Sequence, residues 1–143
     1  MGTPKPKSLL PIIVVITIIL IAASSCLSKA PLAAEEFVIT TNPGWQRHPS
    51  LSGTIVIWQD RTASLDDNIR GYDLENRVEF TVTSNPGLEK DPVISSKIAV
   101  WADNRNGDWD IYGYDIEVQK EFAICTDLAD QGSPAIDGSI VVW

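Results

Sequence analysis

The chain has 143 residues, of which 44% are hydrophobic and 21% are charged, a composition typical of a folded protein and not of a disordered one. Its formal net charge is −8, and the eight basic residues after residue 36 are outnumbered by 17 acidic ones, which disfavours binding to nucleic acid. With one His and two Cys, the sequence excludes a disulfide framework, a zinc finger and most histidine-dependent catalysis.

The N-terminal segment is predicted to be an export signal. Lys5 and Lys7 precede an apolar run over residues 9–23, and small residues follow that run. A basic start, an apolar centre and a small-residue end are the three parts of a secretory signal. We therefore expect residues 1–26 to be a signal peptide or a helical membrane anchor. The rest of the chain then lies outside the cytoplasm, at the cell surface or secreted.

Three outcomes are open at the end of this segment. The sequence Ala-Ser-Ser-Cys at residues 23–26 resembles the lipobox of bacterial lipoproteins, in which Cys26 would become the lipidated N-terminus, although Ala23 stands where Leu is usual. The alternatives are an uncleaved anchor and ordinary cleavage after Ala30 or Ala33. Residues 27–36 are interpreted as a short tether.

A repeat of 42–43 residues fills the chain after the tether. Each copy begins at a Phe, has a Pro 12 residues later and has a Trp nine residues after that Pro, without any gap. The Phe residues are Phe37, Phe80 and Phe122, and the Trp residues are Trp58, Trp101 and Trp143. The chain is therefore divided into 37–79, 80–121 and a partial third copy, 122–143.

Each repeat predicts four short strands. In the first copy, residues 37–40 form one strand, a second begins at Pro49, and the apolar β-branched run 55–58 is typical of a strand covered on both faces. Tight hairpins are expected at residues 52–53, 95–96 and 137–138, where Gly and Asp tolerate positive φ. Asn106 and Gly107 mark a further hairpin before the alternating run 110–116.

This pattern has a known counterpart. A period of about 42 residues with four strands is typical of a propeller blade. Residues 49–60, 80–83 and 106–116 resemble the TolB-like propeller repeats, in particular the version found in secreted or surface proteins of archaea and some bacteria. The resemblance covers residues 37–143 and implies an all-β fold of four-stranded antiparallel blades arranged radially. Residues 62–67 and 127–129 depart from the repeat in two loops.

The number of predicted blades is smaller than a closed propeller needs. A propeller closes with about 4 to 8 blades, and the sequence contains about two and a half repeats. The preferred expectation is that the chain is a truncated part of a longer propeller. The two alternatives are that further blades come from another chain and that the repeats stand alone as an open stack.

The repeated aromatic residues are predicted to form the core between blades. Trp58, Trp101 and Trp143 lie inside apolar strands, and the repeat Phe residues recur with them. The other two Trp residues, Trp45 and Trp109, fall outside this period. Together with Arg47, which lies next to Trp45 in a predicted loop, they are the predicted contacts for a protein or glycan ligand.

The loop 103–110 is rich in oxygen ligands and provides a weak calcium candidate, made of Asp103, Asn106, Asp108 and Asp110. Arg105 lies inside it, and Gly107 is misplaced for an EF-hand loop. A hairpin turn explains Asn-Gly without a metal, so neither a metal nor any other cofactor is predicted. Asp103 and its equivalent Asp60 are expected to cap a strand end or to pair with an Arg of a neighbouring blade.

No catalytic motif is present. Cys125 occupies the position of Thr40, and His48 aligns with Asp91, so neither position requires a nucleophile or an imidazole. We expect a non-enzymatic, secreted or surface-anchored propeller module that binds protein or glycan and contacts the membrane through its N-terminal segment. The alternatives are a non-catalytic propeller part of a secreted hydrolase or peptidase, and a structural repeat protein of the cell envelope.

Overall fold

The computed structural model describes residues 36–61 and 66–143, and these residues contain strands and turns but no helix. The chain divides into two compact units, Met1–Phe37 and Val38–Trp143, and of the first only Glu36 and Phe37 are described. The predicted signal or anchor, with Cys26, lies outside the described residues. Among those that are described, none belongs to a helix long and apolar enough to cross a membrane.

The described part of the second unit forms three antiparallel sheets. In the first, the strands run in the order β1 (Trp45–Ser52), β2 (Ile55–Arg61), β3 (Asp67–Asp73) and β4 (Val78–Thr81). In the second, the order is β5 (Glu89–Ser95), β6 (Ile98–Asp103), β7 (Asp110–Asp115) and β8 (Lys120–Cys125). The third is a hairpin of β9 (Ala135–Asp137) and β10 (Ile140–Val142). The predicted all-β fold with four-stranded antiparallel sheets is confirmed.

The sheets are offset from the sequence repeats. Phe80 lies in β4 and Phe122 in β8, so the strand that starts a repeat is the last strand of the preceding sheet. The two sheets therefore cover residues 45–81 and 89–125 instead of starting at residues 37 and 80. A sequence period gives the spacing of equivalent positions, but it does not give the point in the period at which one sheet ends.

Residues 37–40 are not a strand, in contrast to the expectation. The equivalent segments, β4 and β8, each pair with the third strand of their own sheet. Of the described residues only Glu36 precedes Phe37, so none of them provides a third strand for this segment. In keeping with this, the Phe37 side chain is exposed.

Apolar faces of successive sheets pack against each other. The first cluster joins the first two sheets, with Ile57 and Ile69 on one side and Ala99 and Trp101 on the other. The second cluster joins the second sheet to the hairpin, with Val100 and Ile111 against partly buried residues of β9 and β10. Burial on both faces of a strand explains why β2 and β6 are continuous apolar runs in the sequence.

The three repeat Trp residues are not equally buried. Trp58 and Trp101 are 2% and 0% exposed, whereas Trp143 is 54% exposed and differs from the predicted core position. Trp58 and Trp101 each lie in the second strand of a four-stranded sheet, which is paired with another strand on both sides. Trp143 follows β10, which pairs only with β9 within the described residues.

The Phe residue in the fourth strand of each sheet packs onto a glycine of the neighbouring third strand. Phe80 is the strand partner of Gly71, and Phe122 is the strand partner of Gly113. A Cβ atom on Gly113 would lie 2.7 Å from Cζ of Phe122, so the ring occupies the space that another side chain would need. Phe80 is half-buried, and Phe122 is somewhat exposed. This aromatic–glycine pair is a recognised way of protecting a glycine in a sheet.

Serine hydroxyls link the first strands of successive sheets at equivalent positions. Ser52 Oγ accepts a hydrogen bond from the Ser96 backbone nitrogen (2.8 Å), and Ser95 Oγ accepts one from that of Gly138 (2.9 Å). The two bonds join residues 44 and 43 apart. They therefore repeat from one junction between sheets to the next.

We expect Ser95→Ala to lower the free energy of unfolding by about 1 kcal/mol, because the Gly138 amide loses its acceptor. Ser139→Ala, in the exposed turn beside it, is the matched control and should stay within about 0.5 kcal/mol of the wild type. Urea denaturation followed by tryptophan fluorescence measures both. Equal effects of the two substitutions would show that the bond between the sheets does not contribute to stability.

The connections differ at the two ends of the sheets. In an antiparallel meander, successive connections leave from opposite ends. One end carries the tight turns 53–54, 74–77, 96–97, 116–119 and 138–139, and we call it the turn rim. The other end carries the longer connections 82–88, 104–109 and 126–134, and we call it the long-loop rim.

Candidate binding surface

The predicted contact residues Trp45, Arg47 and Trp109 all lie at the long-loop rim. Trp45 and Arg47 are at the start of β1, and Trp109 immediately precedes β7. Trp45 is 60% exposed, and the Arg47 guanidinium carbon lies 4.5 Å from the centre of its ring. Such a cation–π pair keeps a large aromatic surface and a positive charge together in water.

Lys90 makes the same kind of contact in the second sheet. It aligns with Arg47 in the repeat, and its ammonium nitrogen lies 3.7 Å from the centre of the Trp109 ring. The aromatic partner comes from a different element, since Trp45 belongs to β1 and Trp109 to the β6–β7 loop. Lys90 was not among the predicted contacts, although its alignment with Arg47 was a signal that could have identified it.

Trp109 is less available than Trp45. Its side chain is half-buried and packs against the cluster between the second sheet and the hairpin. Its backbone nitrogen donates to Asp130 Oδ1 (3.0 Å), and its carbonyl accepts from the Gln131 backbone nitrogen (2.6 Å). The loop 126–134 therefore fixes Trp109 in place, whereas Trp45 presents most of its surface to solvent.

A β-bulge sets the direction of the first residues of β1 and β5. The strand register shifts between Arg47 and Ser50 in the first sheet and between Lys90 and Val93 in the second. Each bulge contains the residue before the repeat Pro, which has positive φ: 49° at His48 and 53° at Asp91. Because bulges re-aim the side chains beside them, this feature orients Arg47 and Lys90 at the rim.

A buried ion cluster supports the loop 104–109. Asp103 is fully buried; its Oδ1 accepts from Nε of Arg105 at 2.9 Å, and its Oδ2 accepts from Nε1 of Trp101 at 3.1 Å. Arg105 also donates to Glu121. Burial alone would lower the pKa of Arg105, but hydrogen bonds to the two carboxylates outweigh it and raise that pKa. Of the two roles expected for Asp103, it has the first, since it caps the end of β6 by accepting from the Arg105 backbone nitrogen. Its ion pair is formed within its own sheet and not with an Arg of a neighbouring one.

The four calcium candidates do not converge on one point. Asp103 is engaged by Arg105, and Asp108 is exposed. Asn106 Nδ2 donates to Asp110 Oδ2 (2.8 Å) and to the Tyr112 hydroxyl (3.0 Å). Across residues 36–61 and 66–143, no three His, Cys, Asp or Glu side chains are grouped to hold a metal ion.

Glu89, at the start of β5, is a buried acid that sequence reasoning did not single out. It is fully buried, and its Oε2 accepts a hydrogen bond from Thr83 Oγ1 (2.9 Å). Its Oε1 has no hydrogen-bond partner among the described residues. Burial raises the pKa of Glu89 to about 8; the Thr83 hydrogen bond opposes this shift and the nearby Asp103 carboxylate adds to it.

Comparisons with known proteins concern the fold. No protein-family model and no curated protein sequence matches the chain. A TolB structure from Agrobacterium tumefaciens is similar over 67% of this chain and 35% of its own, with a TM-score of 0.56 and 18% identity. A TolB structure from Acinetobacter baumannii is similar over 68% of this chain and 25% of its own, with a TM-score of 0.58 and 20% identity.

The chain spans about a third and a quarter of the length of these two proteins. Identities near 20% carry the likeness of fold and nothing more specific. The repeated four-stranded sheets and their face-to-face packing agree with that likeness. The described residues therefore have the TolB-like β-propeller fold that the sequence repeat predicted.

Proposed function

We propose that this chain is a non-enzymatic protein-binding module that acts outside the cytoplasm and contacts its partner through the long-loop rim. The observation that carries this proposal is the Trp45–Arg47 pair, because Trp and Arg are enriched among the residues that dominate binding energy at protein interfaces. The export signal predicted for residues 1–26 supports the location.

The geometry of the pair favours a protein partner over a glycan. Arg47 covers part of the Trp45 ring, whereas a sugar would need a free aromatic face. The remaining exposed surface combines an aromatic edge with a fixed positive charge. Such a surface fits an apolar side chain next to a carboxylate on the partner. Glycan binding is the second candidate, since Trp45 is still 60% exposed.

Site-specific cross-linking tests the proposal. A photo-reactive amino acid at position 45 is compared with one at Val118, an exposed residue on the turn rim, in an envelope fraction of the source cells. We expect a discrete protein adduct from position 45 and none from position 118. The same adduct from both positions would contradict the assignment of the rim. Binding to immobilised glycans without any protein adduct would favour the second candidate.

For the partner so identified, we expect Trp45→Ala and Arg47→Ala each to weaken binding at least tenfold, since hot-spot side chains contribute about 2 kcal/mol or more. Val118→Ala on the opposite rim is the matched control and should leave the dissociation constant unchanged. Titration calorimetry measures all three. An unchanged constant for both rim variants would contradict the proposal.

A further inference from the structure

One repeat position carries an amide in the first and last copies and an acid in the second. The residue three places before the repeat Pro is Gln46 in the first copy, Glu89 in the second and Gln131 in the last. In the first sheet, Gln46 is the strand partner of Asp60, and its Nε2 donates to Asp60 Oδ1 (2.8 Å). The position thus places an amide donor against a buried carboxylate.

The second sheet has an acid at the equivalent position. Glu89 is the strand partner of Asp103, which is equivalent to Asp60. An ionised Glu has no proton to donate, whereas a protonated one offers one O–H donor and matches glutamine in shape. Glu89 can therefore take the part of Gln46 only in its neutral form.

Among the residues that the structure describes, the cations around Glu89 are engaged by other groups. The positive charge of Arg105 is shared between Asp103 and Glu121, on β6 and β8. On the elements of the first sheet, Arg61 pairs with Asp67 at the start of β3, and His48 of β1 lies 3.7 Å from Asp91. Lys90, the next residue in the chain, lies over the Trp109 ring, and Arg70 of β3 lies 3.8 Å from Asp60. Arg105 lowers the pKa of Glu89 by less than burial raises it, so among the described residues an ionised Glu89 would be a buried charge without a bound counter-ion.

Glu89 also belongs to a chain of hydrogen bonds between the first two sheets. Thr83 Oγ1 donates to Glu89 Oε2 and accepts from the Ile69 backbone nitrogen at 3.0 Å. Ile69 lies in β3 and Glu89 in β5. Thr83 is itself buried, so these bonds form within the junction.

We propose that Glu89 holds a proton in the folded protein and acts as a neutral substitute for glutamine, so that its ionisation weakens the junction between the first two sheets. Its fully buried Oε1, which has no partner among the described atoms, is the oxygen that would carry this proton. The direction of its pKa agrees, since burial raises it.

The sign of the pH dependence follows from this proton. The pKa of Glu89 is about 8 in the folded chain and near 4.5 in an unfolded one. Between these values the folded state keeps a proton that the unfolded state has lost, so the free energy of unfolding falls as pH rises. The contribution of Glu89 is complete below the lower value and lost above the upper one.

The test compares the wild type with Glu89→Gln in urea from pH 5 to pH 9. We expect the wild-type midpoint to fall over this range relative to that of Glu89→Gln, which keeps the amide of Gln46 and Gln131. Glu79→Gln, in the fourth strand of the first sheet, is the matched control and should follow the wild type. Parallel curves for the wild type and Glu89→Gln would overturn the proposal.

A direct measurement on the wild type covers the case in which Glu89→Gln does not fold. With ¹³C-labelled glutamate, we expect one side-chain carboxyl signal, that of Glu89, to titrate near pH 8. Titration of every glutamate below pH 6 would refute the proposal irrespective of the variant.

Discussion

Replacing Trp101 with Ala is expected to lower the free energy of unfolding by about 3–5 kcal/mol. The indole is 0% exposed and packs in the cluster between the first two sheets, so its removal leaves a cavity at the junction. It also removes the donor that reaches Asp103 Oδ2. Since small domains unfold with only about 5–15 kcal/mol, the variant should be largely unfolded in moderate urea.

Trp45→Ala is the matched control, because it deletes the same side chain from an exposed position of β1. We expect it to cost less than about 1 kcal/mol. Trp101→Phe should fall between the two, since it keeps most of the apolar volume but loses the Nε1 donor. Urea denaturation at one fixed pH measures all three. A cost below about 1 kcal/mol for Trp101→Ala would show that this residue is not part of the core.

Removing the carboxylate of Asp103 is the second substitution with a large expected effect. Asp103→Ala leaves the guanidinium of Arg105 without its main partner in a mostly buried position, and such a loss costs about 3–5 kcal/mol. The loop 104–109 should lose its order at the same time, since the Arg105 backbone nitrogen also donates to Asp103 (2.9 Å). Hydrogen exchange of that loop should therefore accelerate.

A double-mutant cycle separates the ion pair from the packing. Asp103→Ala combined with Arg105→Ala should be less destabilised than the sum of the two single variants, because the second change removes the unpaired charge that the first creates. Asp108→Ala, on the exposed part of the same loop, should stay within about 0.5 kcal/mol of the wild type. Strict additivity of the two substitutions would mean that the carboxylate and the guanidinium do not interact.

The sequence repeat predicted the spacing of the strands, but not the residues at which each sheet starts, because strand spacing follows from local chemistry. The equal distance from Pro49 to Trp58 and from Pro92 to Trp101 reflects one hairpin built twice. The first turn residue has positive φ at the predicted hairpins, 59° at Gly53 and 54° at Ser96. These features depend on neighbours within about ten residues, and the sequence shows such neighbours directly.

Features that depend on packing between sheets were predicted less well. Exposure of Trp143 depends on the strands beside β10, which the local pattern around Trp143 does not contain. Pairing of Asp103 with Arg105 depends on how the β6–β7 loop folds back over its own strand. Burial of Glu89 depends on packing between the first two sheets, which the residues next to it in the chain do not show.

The hydrogen bonds that join successive sheets and the longer connections lie at opposite rims. The serine bonds that set the step from one sheet to the next lie beside the tight turns, at Ser52 and Ser95. Additions to a long loop fall at the opposite end, where they leave that step unaltered. Trp58 lies 13 residues before Gly71 of the third strand in the first sheet, whereas Trp101 lies 12 residues before the equivalent Gly113 in the second, yet both sheets keep the same strand order. The connections at one end can therefore differ in length without any change in the way successive sheets are joined.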